Sequence, residues 1–290
     1  MKKFLSLFAV LALAILVTAC GGNAASAPKE DGIYQAMGTP AANGWTNILQ
    51  FTVENGEITS VDYDSVNMMT GETRTKRQLA AAGEYTLAPS DNRAELGEID
   101  KQYGAVADFI KEHNGISASD TIAGATVNYA DAATLFAAAK EAGPITPGTL
   151  PNGMHYATVD AEPNPSGVVW TYALSAFVQN GRILGVNADS FTDNPEFIAG
   201  LDWPADAGER PTRVYKNALS AMDPSLYDLT TAGTDHPYYE QSKAVADWIV
   251  AHQGFGDVNL GNLTDGATDA IAGATIGISP WIEAFNKMGL

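Results

Sequence analysis

One stretch of this chain occurs twice, and the repetition governs what the chain can fold into. Asp120-Thr-Ile-Ala-Gly-Ala-Thr-Val-Asn128 returns as Asp269-Ala-Ile-Ala-Gly-Ala-Thr-Ile-Gly277. The surroundings repeat with it. Trp45-Thr46, Asn55-Gly56 and Ile58 line up with Trp170-Thr171, Asn180-Gly181 and Ile183. Ala105 to Gly115 lines up with Ala244 to Gly254, and the opening Asp31-Gly-Ile-Tyr34 has a weaker echo in Asn152-Gly-Met-His-Tyr156. The order is the same in both halves, and the spacing drifts only through loops. A long unit present twice describes two tandem domains rather than a solenoid. The 290 residues are enough for two separate cores.

Each half reads as strands followed by helices, which makes the fold class α+β. In the first half, residues 33–37, 45–53 and 58–63 carry strand patterns, and Asn55-Gly56 marks a tight hairpin turn. Residues 76–82 read as a short helix. Residues 95–113 place Ile99, Tyr103, Val106, Phe109 and Ile110 at helical spacing, with Asn114-Gly115 as the stop. An Ala-rich helix follows over 131–142. The second half repeats the plan with strands at 156–160, 168–178 and 183–188, and helices at 212–222, 238–252 and 280–288. Residues 192–211 are an insertion punctuated by Asp-Asn-Pro and Trp-Pro turns. The expected division is a signal segment at 1–20, a flexible tether at 21–30, domains at 31–143 and 153–290, and a linker at 144–152. Each domain is an antiparallel meander packed with a long amphipathic helix and a C-terminal helix.

The first residues read as a processing signal. Lys2-Lys3 precedes an apolar run from Phe4 to Val17, too short for a comfortable membrane span, which ends at Val17-Thr-Ala-Cys20-Gly21. Small residues before a Cys are similar to the bacterial lipobox, after which Cys20 carries the lipid. An ordinary secretory signal with a chance Cys is the alternative. Cys20 is the one cysteine in the chain, so no internal disulfide can form. The expectation is an exported protein held on the outer side of the cell membrane by acyl chains.

The formal net charge of −18 argues against nucleic acid and against electrostatic adhesion to anionic lipid. No zinc spacing, Cys cluster or Gly-x-Ser-x-Gly occurs. Asp189-Ser190 with Asp193 is acidic enough for calcium but lacks the loop pattern. His113 and His252 hold matching places at the end of the long helix, where a cation suits the helix dipole. Trp45 and Trp170 are either ring-stacking residues or sheet residues packed in the core.

The twice-used loop has chemistry of its own. Ala-Gly-Ala removes bulk, so a ligand or another backbone can come close. Thr126 and Thr275 offer hydroxyls, and a helix starts shortly after each loop, where unpaired N–H groups favour phosphate. The alternative is a tight turn of small residues packed on the sheet, with Asp or Thr capping a helix.

Meander, long helix, Asp-x-Ile-small-Gly-Ala-Thr and final helix together resemble the FMN-binding domain. That domain occurs in subunits of the Na⁺-translocating quinone reductase and the Rnf complex, and in tandem in flavin lipoproteins of extracellular electron transfer. The resemblance covers essentially everything after Cys20 and is greatest to the tandem lipoproteins. It implies that Asp120, Ala123, Gly124, Ala125, Thr126 and Asn128, and likewise Asp269, Ala272, Gly273, Ala274, Thr275 and Gly277, line the cofactor. It also implies FMN as the cofactor and a membrane redox partner for an electron carrier rather than a turnover enzyme.

One departure matters. In the family the motif is Ser/Thr-Gly-Ala-Thr/Ser-x-Thr, and the last Thr is joined to FMN through a phosphoester. Here that place is taken by Asn128 and Gly277, which have no hydroxyl, and the first place by Ala123 and Ala272. Thr268 lies nearby with the wrong continuation. Three readings stay open, in this order: FMN bound without a covalent bond, a flavin-less binding or interaction module on a lipid anchor, or attachment at the inner Thr126 or Thr275.

Overall fold

The computed structural model describes residues 26–86, 98–118, 120, 122, 129–204, 208–223, 226–227, 236–256, 271, 274 and 276–290. The signal segment with Cys20 lies outside them. No helix among the described residues is long and apolar enough to cross a membrane.

Both halves are built on antiparallel meanders. In the first, β1 (Gly32–Met37), β2 (Trp45–Glu54) and β3 (Glu57–Asn67) lie side by side in that order. In the second, β4 (Gly153–Asp160), β5 (Thr171–Gln179) and β6 (Arg182–Thr192) do the same, and β7 (Val214–Tyr215) adds a short fourth strand beside β6. The hairpin turns are those the Asn-Gly pairs predict. Asn55 and Gly56 have φ of 55° and 77°, and Asn180 and Gly181 have 52° and 70°, the left-handed pair that matches strand twist. The duplication extends to an irregularity. The β2–β3 register shifts at Thr52/Val53, and the β5–β6 register shifts at the matching Phe177/Val178.

The same repair follows each shift. The Ile58 amide donates to Asn114 Oδ1 at 2.7 Å, and the Ile183 amide donates to Gln253 Oε1 at 2.8 Å. Asn114 and Gln253 end the long helices in left-handed backbone, with φ of 54° and 58°. That conformation swings the side chain off the helix and onto the hairpin. The helix stop and the strand irregularity are therefore one device, used twice.

The first sheet carries α1 (Lys76–Ala81), α2 (Ile99–Glu112) and α3 (Tyr129–Ala142). The second carries α4 (Pro195–Gly200), α5 (Lys216–Met222), α6 (Tyr238–His252) and α7 (Ser279–Met288). Strand alternation decides what the helices cover. Leu49, Phe51 and Val53 of β2 point one way and join Val106, Ile110 and Phe136 in a buried core. Leu174, Ala176 and Val178 of β5 join Val245, Ile249 and Trp281 in the second. A satellite cluster of Trp170, Ile198, Val214 and Leu219 forms where the insertion folds back.

The other faces of the two sheets meet each other. Ile48, Val66 and Met68 pack with Met154 and Phe177, flanked by Met37 and Leu184. Met68 O accepts from Ser175 Oγ at 2.7 Å and from Asn187 Nδ2 at 3.2 Å. Asn180 Nδ2 donates to Gln35 at 2.9 Å and to Gln50 at 2.6 Å. Gly185 faces the Met37 thioether, and a Cβ there would make the flexible Met37 side chain move aside.

Two sequence expectations change. Residues 193–195 read as a turn, yet Asn194 caps α4 by accepting from the Phe197 amide, and Pro195 sits in the first turn where its missing N–H is harmless. Residues 212–222 divide into β7 and the shorter α5, because Val214 and Tyr215 pair with Thr192 and Phe191. The tether is held at its end: Ser26 bridges Gly115, Ala27 N donates to Asn114 O, and Lys140 Nζ reaches Ser26 O. The stretch 144–152 is bonded to both halves, through Ile145 N to Ile33 O, Gly148 N to Asn180 O and Leu150 N to Gly181 O.

Candidate functional site

The described parts of the repeated loop serve structure first. Asp120 Oδ2 accepts from the Ser117 amide at 2.7 Å while the Asp120 amide donates to Ser117 O, which closes a small turn. Ile122 is buried in the first core. In the second loop Ile271, Ala274 and Ile278 enter the second core, and Gly277 is half-buried. Ala123, Gly124, Ala125, Thr126 and Asn128, and Asp269, Ala272, Gly273 and Thr275, lie outside the described residues.

Next to the second loop stands a group of side chains that the sequence does not announce. Trp281, three residues past Ile278, has its ring 5.7 Å from Tyr172 and 6.3 Å from Tyr238, and its Nε1 donates to Asp189 O at 3.0 Å. Lys216, the first residue of α5, extends into the same cluster. Its Nζ lies 4.5 Å from the Trp170 ring, 4.9 Å from Tyr227, 5.2 Å from Tyr238 and 5.3 Å from Tyr172. One ammonium thus faces four π-surfaces, whose attraction offsets part of the cost of taking the charge out of water.

Asp189 on β6 sits beside this group, fully enclosed. Its Oδ1 accepts from the Ser190 amide at 2.7 Å and from the Asn217 amide at 3.0 Å. Ser190 Oγ shares a hydrogen bond of 2.9 Å with Tyr238 Oη. Burial raises the Asp189 carboxyl to about 7, against the pull of its two amide bonds and of the Lys216 charge. Burial also lowers Lys216 to about 8, which Asp189 partly opposes. Desolvation likewise raises Tyr238 well above the usual phenol range. Each shift has the sign that burial gives the charged form of that group.

The first half holds a smaller version. Lys76, at the start of α1, lies 4.7 Å from the Trp45 ring and 5.2 Å from Tyr85. Asp64 Oδ1 accepts from the Ser65 and Arg77 amides at 2.7 and 3.1 Å. Ser65 Oγ meets Tyr103 Oη at 2.9 Å and also donates to Asn47 Oδ1. Burial raises Asp64 and lowers Lys76, in the same directions as their counterparts. The tyrosines come from different helix positions. In the repeat alignment Tyr103 falls opposite Ser242, and Tyr238 opposite Ile99. The two places are one helical turn apart on the same face, so each can reach its serine.

Sequence reasoning named Trp45, Trp170 and Asp189 but not the two lysines, Asp64 or the tyrosines as a group. A signal was present: Asp-Ser stands nineteen residues after the tryptophan in both halves. The lysines gave none, since loops of unequal length separate them from the strands. Trp170 is buried and Trp45 half-buried, each beneath its lysine. The acidic trio does not converge: Asp189 is enclosed, while Asp193 pairs with Arg213 at 2.7 Å on the surface. No metal-binding group of His, Cys, Asp or Glu occurs among the described residues. His113 and His252 flank the helix ends as expected. They stack on Phe109 and Trp248 at 4.0 and 3.7 Å and bond through Nδ1 to the carbonyl oxygens of those residues.

No protein-family model and no curated protein matches this chain. Two solved structures are similar to part of it. A solution NMR structure of a protein from Clostridium thermocellum is 24% identical over 48% of this chain and 89% of that one, with a TM-score of 0.30. A crystal structure of a protein from Clostridium perfringens is 16% identical over 40% of this chain and 93% of that one, with a TM-score of 0.29. Likenesses of this size carry no functional argument.

Proposed function

We propose that this chain is a lipoprotein anchored through Cys20 on the outer side of the membrane, whose two halves bind FMN without a covalent bond and carry electrons at the cell surface. The observation that carries the reading is the Lys216 group: a cation and four rings, joined through Trp281 to the second copy of the repeated loop. The cluster itself is closed, with Lys216, Tyr238 and Trp281 at most 5% exposed, so it backs the loop against which a flavin would lie. The absence of a hydroxyl at Asn128 and Gly277 argues against the family's usual attachment.

When bound, FMN supplies the electron transfer, and the protein supplies position and electrostatics. Tyr172, Tyr238 and Trp281 pack together behind the second loop and exclude water. Asp189, held by two amides, keeps α5 and Lys216 in place. Ser190 fixes the Tyr238 hydroxyl. The membrane redox partner is part of the same proposal.

A second reading has an observation in its favour. Asp120 closes its own turn and Ala274 is packed in the core, so the loop also works as structure alone, as a flavin-less interaction module would use it. One experiment separates the readings. The full chain, co-expressed with a flavin transferase and purified in detergent, is measured by visible absorption and by intact mass after denaturation. A flavin band without added mass supports the proposal. Added mass moves the attachment to Thr126 or Thr275. Absence of flavin in both assays leaves the flavin-less module.

A further inference from the structure

The chain enters the first half at one end of its sheet, and the entry is fixed. Ala27 packs against the first core and Pro28 is buried. Ser26 bridges Gly115, Ala27 N donates to Asn114 O at 2.7 Å, and Lys140 Nζ donates to Ser26 O at 2.7 Å. Asn114 Nδ2 in turn donates to Gly56 O at 3.2 Å, and the Gly56 amide donates to Asp31 Oδ1 at 3.2 Å. Ser26 therefore lies at the end of the sheet that carries the β2–β3 hairpin. The opposite end, the β1–β2 connection around Ala42, is the length of β2 away, which for Trp45–Glu54 is about 30 Å. The second half continues in that direction. Asn180 meets Gln50 part-way along β2, and Ser175 meets Met68 just past the far end of β3. The step from Asn180 to Ser175 nearly matches the step from Asp62, the partner of Gln50, to Met68. So β5 runs alongside the first sheet and carries on beyond it. Its last residue in that direction, Thr171, pairs with Phe191, and α4 follows shortly after, roughly 40 Å from the first hairpin.

We propose that the hairpin end of the first half is the surface that faces the lipid bilayer, and that the second half is held away from it. The inference rests on lipid attachment at Cys20 and adds which face meets the membrane. It does not depend on the flavin. Cys20 and Ser26 are so close in sequence that a lipid on Cys20 keeps Ser26 within about 20 Å of the bilayer surface, even with the intervening chain fully extended. The inverted arrangement, with Ala42 against the lipid, would put Ser26 about 30 Å out, beyond that reach. Placing α4 on the lipid would need roughly 40 Å. Charge does not replace the tether. Glu54, Glu57, Glu112 and Glu141 stand exposed at the hairpin end beside Lys111 and Lys140, which gives anionic headgroups no basic patch to hold. A membrane-bound partner therefore meets the first half, and α4 with the rest of the insertion faces the surroundings.

The test uses the full lipid-bearing chain in phosphatidylcholine vesicles that contain a headgroup-labelled acceptor lipid. The lipid occupies the Cys20 sulfur, and no other cysteine exists, so one introduced cysteine takes a donor dye at one place. E57C marks the hairpin end, A42C the opposite end of the first sheet and E196C the start of α4, all at exposed positions. Energy transfer to the lipid is expected to fall in the order E57C, A42C, E196C, with at least about twofold between the first and the last, given the separations above. Inserting about twenty Gly and Ser residues between Ala25 and Ser26 lengthens the reach and is expected to flatten that order. Equal transfer from the three positions, or the greatest transfer from E196C, overturns the orientation. An order that the longer tether leaves unchanged overturns the tether as its cause and makes the face itself adhesive. Intact mass is measured on the same preparation. A chain that bears no lipid, or that stays off the vesicles, overturns the lipoprotein reading itself, and the orientation with it.

Discussion

Asp189→Asn should make the second half more stable at pH 8 and by a clearly smaller margin at pH 5. Asn keeps the side-chain oxygen that accepts from the Ser190 and Asn217 amides, so the local hydrogen bonds survive. What it removes is the ionisation. Burial holds the Asp189 carboxyl at about 7 in the folded chain, where an ordinary Asp lies at 3.8. A raised folded value means the native state holds the proton more tightly than the unfolded chain does. Stability from this group is therefore full below about pH 4, falls as pH rises, and is lost once pH passes about 7. The distance between those two values corresponds to about 4 kcal/mol at 1.36 kcal/mol per pH unit, of which roughly 3 kcal/mol falls above pH 5.

Other charges facing Asp189 do not reverse the sign. Lys216 loses an attraction in the variant and moves further down from about 8, so it sheds its proton earlier on folding, which also favours the variant as pH rises. Tyr172, Tyr227 and Tyr238 are all raised and stay neutral throughout the window. Urea unfolding followed by tryptophan fluorescence is the assay, because Trp170, Trp203, Trp248 and Trp281 all belong to the second half and only Trp45 to the first. Stability differences between variant and wild type that stay constant from pH 5 to pH 8 would refute the reasoning.

Other substitutions address other parts of the structure. Gln253→Ala leaves the Ile183 amide without its side-chain acceptor and should cost about 1–3 kcal/mol, measured by the same urea titration. Gly148→Ala puts a Cβ onto the Gly181 backbone, which cannot swing aside, and should cost about 1–3 kcal/mol in the same urea titration. Thr126→Ala and Thr275→Ala should change the denatured mass of the flavin-loaded chain only by the substitution itself, because neither threonine carries the cofactor in the proposed arrangement. Cys20→Ser should shift the protein from the membrane fraction to the soluble fraction on cell fractionation, since the acyl anchor is lost.

Much of the fold was legible because its signals are local. The Asn-Gly pairs specify their turns through left-handed φ angles, and the structure has them at residues 55–56 and 180–181. The apolar spacing over residues 238–252 specifies a helix with those bounds. Asn194-Pro195 was misread for an equally local reason, since the same pair starts a turn or a helix, and the Phe197 amide decides between them. The site was far less legible. The repeated loop drew attention as a motif, whereas Lys216, Asp189 and Tyr238 come from a helix start, a strand and a second helix, and are brought together only by folding.

By itself, the sequence determined the duplication, the α+β order of each half, the hairpin turns and the absence of a hydroxyl at Asn128 and Gly277. These follow from residue identity and from periods of two to four residues, which neighbours along the chain settle among themselves. The tertiary structure decided the rest. It set the second faces of the two sheets against each other around Met68 and Phe177, although alternation shows only that β2 has two different faces. It placed a lysine among four rings, where burial moves both that lysine and the neighbouring aspartate toward neutral pH. Burial and its electrostatic consequences depend on what arrives from elsewhere in the chain, and no window of sequence contains that information.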